Sequence, residues 1–281
     1  MTKHTYLIII CMLLTALTTD ARRHKQLVIL HTNDTHSTIM PLSHQLPDTM
    51  KADRGGYLRR VAMIKEERSK HPDLLLFDSG DFSQGSAYYT MFKGDVEVEL
   101  MNQMDYDAAT IGNHEFDFGL ENMARLFRQA KFPIVCANYD FTGTCCEGLV
   151  KPYIILKRNG LKIGVFGLAP KMEGLVSAKN FEGIKYYNPG QVALETATML
   201  KRQKKCDIVI CISHLGWETG EPDDDLDMIS HSRDIDLVLG GHTHTYMKEM
   251  QYVKNMDGHP VAVDQNGKHA IFVGKLVVDM K

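Results

Sequence analysis

The stretch Leu74-Leu-Leu-Phe-Asp-Ser-Gly-Asp-Phe-Ser-Gln-Gly-Ser86 decides the fold class. Four apolar residues run straight into Asp78, Ser79, Gly80 and Asp81. That pattern is a short buried strand emptying into a polar, glycine-bearing loop. The same rhythm recurs on both sides of it. Candidate strands lie at 27–30, 74–77, 108–110, 133–137, 153–157, 162–168, 208–213, 237–239 and 271–278. Amphipathic stretches at 56–70, 95–104, 120–130 and 191–204 have apolar residues three and four apart and Lys or Arg near their ends, which predicts helices. Strands alternating with helices make an α/β protein. Asn159-Gly160 between two strands signals a tight hairpin, so at least one antiparallel pair interrupts the parallel pattern. Nine strands are many for one sheet, and two packed mixed sheets with outer helices are expected.

The 281 residues are 44% hydrophobic and 24% charged with 22 Gly, a globular composition that excludes a disordered or collagen-like chain. Lys and Arg number 32 against 35 Asp and Glu, a net charge of -3. With no long basic run, a nucleic-acid polymer is not an expected partner. Residues 1–21 read as an export signal: Lys3 and His4 open it, Tyr6 to Leu17 is apolar, and Thr19-Asp20-Ala21 offers a cleavage site. The apolar run is short against the roughly 20 residues of a bilayer span. The expected location is periplasmic or secreted, with membrane attachment only where that segment is retained. Residues 22–281 show no linker, repeat or low-complexity tract and are assigned to one domain. Cys136, Cys145, Cys146, Cys206 and Cys211 remain after the signal, an odd set with no paired zinc spacing and no disulfide assignable from sequence.

Five segments place metal-capable side chains at strand ends: Asp34-Thr-His36, Gly80-Asp81, Gly112-Asn113-His114-Glu-Phe-Asp117, Ser213-His214 and Gly241-His242-Thr-His244. Asp34 and His36 are two apart, so in extended backbone both point the same way. Each piece alone is weak. Together, without a cation, they would crowd costly polar groups into one cleft. Mixed imidazole and carboxylate donors suit zinc, manganese or iron better than calcium or magnesium.

The order of these motifs resembles the calcineurin-like metallophosphoesterases. Asn33-Asp-Thr-His-Ser37, Gly80-Asp-Phe-Ser-Gln-Gly-Ser86 and Gly112-Asn-His-Glu-Phe-Asp117 are similar to the 5'-nucleotidase branch, as is Gly55-Gly-Tyr-Leu-Arg-Arg60 at the first helix. The resemblance spans about residues 26–280 and implies a four-layer α-β-β-α sandwich. It also implies two divalent ions, zinc or manganese first and iron or magnesium behind them. One ion would take Asp34, His36, Asp81 and His244, the other Asp81, Asn113, His214 and His242, with Asp81 shared. His114 matches the family's non-ligand histidine that contacts the phosphoryl group, with Asp117 orienting it. Asn113 would also touch substrate. The implied reaction releases phosphate from an ester, most simply a nucleotide, by attack of an activated water.

In the resembling nucleotidases a second domain holds the nucleoside, whereas this sequence stops at Lys281 just after its last candidate strand. A separate polypeptide supplying that domain is therefore one expected partner. The alternatives are a broad phosphodiesterase or sugar-nucleotide hydrolase of the same fold, a hydrolase of thiosulfate-type esters, and a non-catalytic metal-binding module. The remaining histidines, His31 and His269 among them, read as surface or packing residues. Asp223-Asp-Asp225 with Asp227 reads as a solvated helix start after Pro222, Trp217 as packing, and Ser86 lacks the setting of a nucleophile.

Overall fold

The computed structural model of the chain describes residues 25–220 and 222–280; the segment 1–21, expected to direct export, lies outside them. In chain order the first half comprises β1 (Lys25–Thr32), α1 (Tyr57–Lys70), β2 (Leu75–Asp78), α2 (Ala87–Phe92), α3 (Asp95–Gln103), β3 (Ala108–Ala109), α4 (Gly119–Gln129), β4 (Ile134–Val135), β5 (Tyr139–Asp140) and β6 (Val150–Lys151). The second half comprises β7 (Tyr153–Arg158), β8 (Leu161–Leu168), β9 (Lys185–Tyr186), α5 (Pro189–Thr198), β10 (Ile208–Ser213), α6 (Asp225–Ser230), β11 (Leu237–Leu239), β12 (Gln251–Lys254), β13 (Pro260–Asp264) and β14 (Gly274–Met280).

Alternation along the strands builds the layers. Leu27 and Ile29 of β1, with Leu75 and Phe77 of β2, face Ile163 and Val165 of β8 and Ile208, Ile210 and Ile212 of β10. Val28 and Leu30 turn the other way, onto Tyr57, Val61 and Ile64 of α1 and Met123 of α4. On the far side, Val209 and Cys211 of β10 pack on Ala193 and Ala197 of α5 and on Met228 and Ile229 of α6. One apolar layer thus lies between the sheets and one under each helical layer, which is the expected α-β-β-α sandwich. Period-2 side-chain direction lets this arrangement bury both faces of the central strands.

One six-stranded sheet runs β14-β1-β2-β3-β4-β6, the other β12-β13-β11-β10-β8-β7. Pairing is parallel through β1-β2-β3-β4-β6 and through β8-β10-β11-β13, with antiparallel partners β14, β12 and β7. Parallel pairing sends successive strand ends to the same edge of each sheet, and the polar loops collect there. The Asn159-Gly160 hairpin forms as read, closing on the pair Arg158 and Leu161 with both turn residues at positive φ, 49° and 71°.

Several boundaries differ from the sequence reading. The last strand starts at Gly274 rather than 271, because His269 and Ala270 take left-handed backbone, φ 61° and 57°, and delay its pairing. The helix expected at 191–204 begins at Pro189, capped by the Asn188 side chain, and loosens into a π turn over Met199–Gln203. The acidic run after Pro222 does start a helix, with Asp224 accepting from the Asp227 N–H at 2.9 Å. It is not all solvated. Asp225 is fully buried beneath the end of β10 and accepts from the Ser213 hydroxyl, and burial pushes its carboxyl up to about 7. Cys136, Cys145, Cys146, Cys206 and Cys211 are all free thiols. Among the described residues no helix is long and apolar enough to cross a membrane.

Candidate metal centre

The loop after β1 and the loop after β2 run side by side. Asp34, His36 and Ser37 donate their N–H groups to the carbonyls of Gly80, Asp81 and Phe82, each at 3.0 Å. This ladder places Asp34 and His36 against Asp81. The backbone is not the extended form expected from the two-residue spacing: Asp34 and His36 sit at φ 48° and 42°, Asp81 at 55°, and His242 and His244 at 75° and 57°. Left-handed backbone costs a non-glycine residue about 1–2 kcal/mol, and it persists here because the surrounding hydrogen bonds fix it. The Asp34 carboxylate accepts from the Asn33 amide at 2.6 Å and from the His242 N–H at 2.9 Å.

Three groups of potential cation donors result. Asp34, His36 and His244 form one, Asp81, His214 and His242 a second, and His36, Asp81 and His114 a third, each with one donor atom per residue within 4.8 Å of the others. His36 and His244 bring their Nε2 atoms to 2.9 Å of each other, and Asp34 Oδ1 stands 3.4 Å from His244 Nε2. On the other side, His214 Nε2 is 3.1 Å from Asp81 Oδ2. The His214 Nδ1 bonds the Ser79 carbonyl at 2.5 Å, so its Nε2 is the nitrogen turned to Asp81. Asn113 is 8% exposed and lies between Gly112 and His114, which both touch the Asp81 side chain. Six expected ligand positions therefore share two donor groups, and Asn113 borders the second.

The donors fit a bound cation. Asp34 and Asp81 are essentially fully buried carboxylates, a costly arrangement without compensating positive charge. Asn113 Oδ1 is buried with no hydrogen-bond partner and has a lone pair to give. His214 Nε2 faces the Asp81 carboxylate at 3.1 Å and would have a lone pair to give once a cation displaces its proton. Imidazole, carboxylate and amide oxygen together form the donor set of a divalent transition metal.

Burial and proximity set the charges. Burial opposes the charged form of His214, but Asp81 and Asp34 outweigh it and raise that imidazole to about 10. The reciprocal effect of His214 on Asp81 overcomes burial and holds the Asp81 carboxyl well below its usual range. Burial, reinforced by His214, lowers His242 to about 4. His114 Nδ1 bonds Asp117 at 3.1 Å; burial works against its protonated form, and the Asp117 bond with the Asp81 charge outweighs burial and raises it.

Three residues near the centre carried no role in the sequence reading. Glu115, quoted only within a motif, accepts from the N–H groups of Gly112 at 2.6 Å, Asp81 at 3.0 Å and Ser83 at 3.2 Å, so one buried carboxylate pins two loops together. Gln265 donates to the Gly241 carbonyl at 2.7 Å and holds the His242–His244 loop. His269, read as a surface or packing residue, stands at the edge of the centre with its ring centroid 5.8 Å from that of His36. No motif surrounds it; a left-handed loop carries it there. His31 does pack, fully buried and 2.9 Å from Asp264. Asp78 accepts from Thr32 Oγ1 at 2.6 Å and supports the loop from outside the donor groups. Ser86 caps α2, and Trp217 packs on the outer face of the second sheet.

Two mixed sheets in an α-β-β-α sandwich, with clustered imidazole and carboxylate donors at the strand ends, define a metallophosphoesterase-type domain. The profile of the calcineurin-like phosphoesterase family matches residues 27–246, and the chain belongs to that family. A trifunctional nucleotide phosphoesterase protein of Bacillus subtilis is 31% identical over 284 residues, covering 90% of this chain and 18% of that protein. A 5'-nucleotidase of Rattus norvegicus is 30% identical, covering 90% of this chain and 46% of the rat protein. The solved structure of a 5'-nucleotidase precursor from Thermus thermophilus superposes with a TM-score of 0.83 at 28% identity, over 91% of this chain and 52% of that one. An NAD nucleotidase of Haemophilus influenzae gives 0.82 at 28% identity, over 91% and 53%. The chain thus spans between about a fifth and about half of the length of these relatives.

Proposed function

We propose that the chain hydrolyses phosphate esters, nucleotides first among them, with two divalent ions held at one centre. The observation that supports this most is the pair of donor groups, Asp34-His36-His244 and Asp81-His214-His242, joined by a third in which Asp81 lies in reach of His36. In this reading Asp34, His36, Asp81 and His244 hold one ion, and Asp81, Asn113, His214 and His242 hold the other. Zinc or manganese suits the donors. When bound, the ions supply Lewis acidity and lower the pKa of a water to about 7.

The chain's own groups then do the following. With both ions bound, the Asp81 carboxylate would offset the repulsion between their positive charges. The Asn113 amide N–H and His114 face the phosphoryl oxygens and stabilise the charge that develops there. His114, whose protonated form the Asp117 partner favours, gives its Nε2 proton to the leaving oxygen, and Asp117 keeps Nδ1 occupied so that Nε2 is the nitrogen presented. Glu115 does not touch substrate; it keeps Asp81 and Asn113 in register by binding the backbone beneath both.

Export through residues 1–21 to a periplasmic or secreted location belongs to this reading, and N-terminal sequencing of the mature protein tests it. A separate nucleoside-binding polypeptide is a partner to be sought by co-purification. The catalytic reading is tested by a panel of AMP, UDP-glucose, a cyclic nucleotide and bis-phenyl phosphate, run with and without a chelator. Chelator-sensitive release of phosphate from AMP is expected. Preference for the diesters would move the assignment to a phosphodiesterase or sugar-nucleotide hydrolase, and no turnover by metal-replete protein would leave only a binding module.

A further inference from the structure

Helix α2 is six residues long, and Tyr89 is its one buried side chain; Tyr88, Met91 and Phe92 face outward. Its start is tied to the loop that carries His36. The Tyr89 N–H donates to Ser86 Oγ at 3.3 Å, the Ser86 and Ser37 hydroxyls meet at 2.5 Å, and Ser37, the residue after His36, donates to the fully buried Glu97 carboxylate of α3. The donors run one way, from the Tyr89 N–H through both hydroxyls to Glu97, so each bond polarises the next. The other end of Tyr89 reaches a different part of the centre. Its hydroxyl donates to the His114 carbonyl at 3.3 Å, and its ring lies 5.1 Å from that of Phe118, the residue after Asp117. The same carbonyl accepts from the Asp117 N–H at 3.2 Å, closing the turn that sets His114 Nδ1 3.1 Å from the Asp117 carboxylate. Burial, with the Glu115 and Asp117 charges, holds the Tyr89 phenol above its usual range, so it stays a proton donor.

We propose that Tyr89 is a positioning residue for proton donation by His114: it fixes the His114–Asp117 turn and, through Ser86, Ser37 and Glu97, sets that turn against the loop of His36. The inference rests on the phosphoesterase reading and deepens it by naming a residue that aligns the proton donor from beneath while touching neither ester nor ion. Three observations carry it. The Tyr89 hydroxyl and ring bracket the His114–Asp117 pair, one contact before it and one after. The two side chains of the pair are 30% and 34% exposed, so water competes for their bond and support from the buried side matters. The backbone of Tyr89 is anchored to a buried carboxylate, which makes the support rigid. Misplacing a catalytic group by about 1 Å can cost about 100-fold in rate. A single hydroxyl on a carbonyl that keeps a second donor is a smaller restraint, and about tenfold is expected from its loss.

The discriminating experiment compares AMP with p-nitrophenyl phosphate on the metal-replete full chain. The ribose oxygen of AMP needs a proton to leave, whereas p-nitrophenolate leaves without one. Tyr89→Phe removes the hydroxyl and keeps the ring. It is expected to lower kcat for AMP about tenfold with KM within about twofold, to leave p-nitrophenyl phosphate within about twofold, and to leave metal content unchanged. Added to His114→Ala, it should change AMP turnover by less than about twofold, because the group it positions is gone. Equal losses on both esters, loss of metal, a tenfold loss that persists beside His114→Ala, or no loss at all would overturn the proposal while leaving the phosphoesterase reading in place. A second arm needs no turnover. In zinc-loaded chain with nitrogen-15 histidine, the His114 Nδ1–H held by Asp117 should give a proton–nitrogen cross-peak, identified by its absence in His114→Ala, and Tyr89→Phe should broaden it through faster exchange with water. If no ester is hydrolysed the phosphoesterase reading fails, and this arm still decides the positioning: broadening supports it, and a cross-peak that is unchanged in Tyr89→Phe or missing from the unmodified chain contradicts it.

Discussion

Asp81 belongs to the second donor group and lies in reach of His36 of the first, and the consequences of changing it can be separated from those of changing His114. On the proposed reading Asp81→Ala removes the carboxylate that both ions would share, so the protein should purify without bound metal and without activity. His114→Ala leaves both donor sets intact, so metal content should be unchanged while kcat falls about 100-fold to 10,000-fold. Elemental analysis beside kinetics checks the pair; equal metal loss in both variants would make His114 a ligand. Gly112 gives a subtler test. A Cβ there would lie 2.1 Å from Asp81 Oδ1 and 2.7 Å from the Asp81 N, with no room to relax. Gly112→Ala should therefore weaken metal binding about tenfold or more, read by competition with a chromophoric chelator, although Gly112 is no ligand. The donor residues were legible because each motif carries its own chemistry at a strand end. Glu115 and His269 were not. The role of Glu115 is to accept backbone N–H groups from a loop more than thirty residues away, and His269 arrives through a backbone turn that composition does not announce.

Strands and helices contribute through where they stop and how closely they approach. Gly167 in β8 faces β4 across the inter-sheet layer: a Cβ would lie 2.0 Å from the Val135 carbonyl oxygen and 2.5 Å from Thr110 Oγ1. Gly167→Ala should cost about 3 kcal/mol, an overpacking penalty, and lower the melting temperature by roughly 6 to 12 °C. A melting temperature within a degree of the parent would show that the sheets part more easily than their packing suggests. Long apolar strands such as β1, β8 and β10 were readable from their runs. β6, β9 and β5 are two residues each, too short for periodicity to register, and β12 is largely exposed with no alternation. The buried start of α6 makes a pH prediction. The Asp225 carboxyl rises to about 7 when folded, against roughly 4 for an ordinary aspartate in the unfolded chain. Between these values the folded protein keeps a proton that the unfolded chain has released. Stability from this group is thus fully present below about pH 4 and declines as pH rises through 7, by up to about 1.4 kcal/mol per pH unit. Asp225→Asn should flatten that decline, measured by urea midpoints at several pH values in the metal-free protein. Identical pH slopes for both proteins would mean that Asp225 ionises at its ordinary pH.

Across the whole molecule, two sheets of parallel core stack so that loops from β1, β2, β3, β10 and β11 meet at one edge, and no single sheet could bring five such loops around one point. The sandwich was foreseeable from the excess of strands over what one sheet holds. The pairing order was not, because β14 returns to β1 from the far end of the chain and only tertiary contact specifies that partner. The central claim is that this edge binds two cations sharing Asp81. Anomalous diffraction from crystals of the active, metal-replete protein tests it most directly. Two peaks about 3.5 to 4 Å apart are expected, one beside Asp34, His36 and His244 and one beside Asn113, His214 and His242, with Asp81 between them. A single ion, or ions bound elsewhere in protein that still hydrolyses phosphate esters, would contradict it.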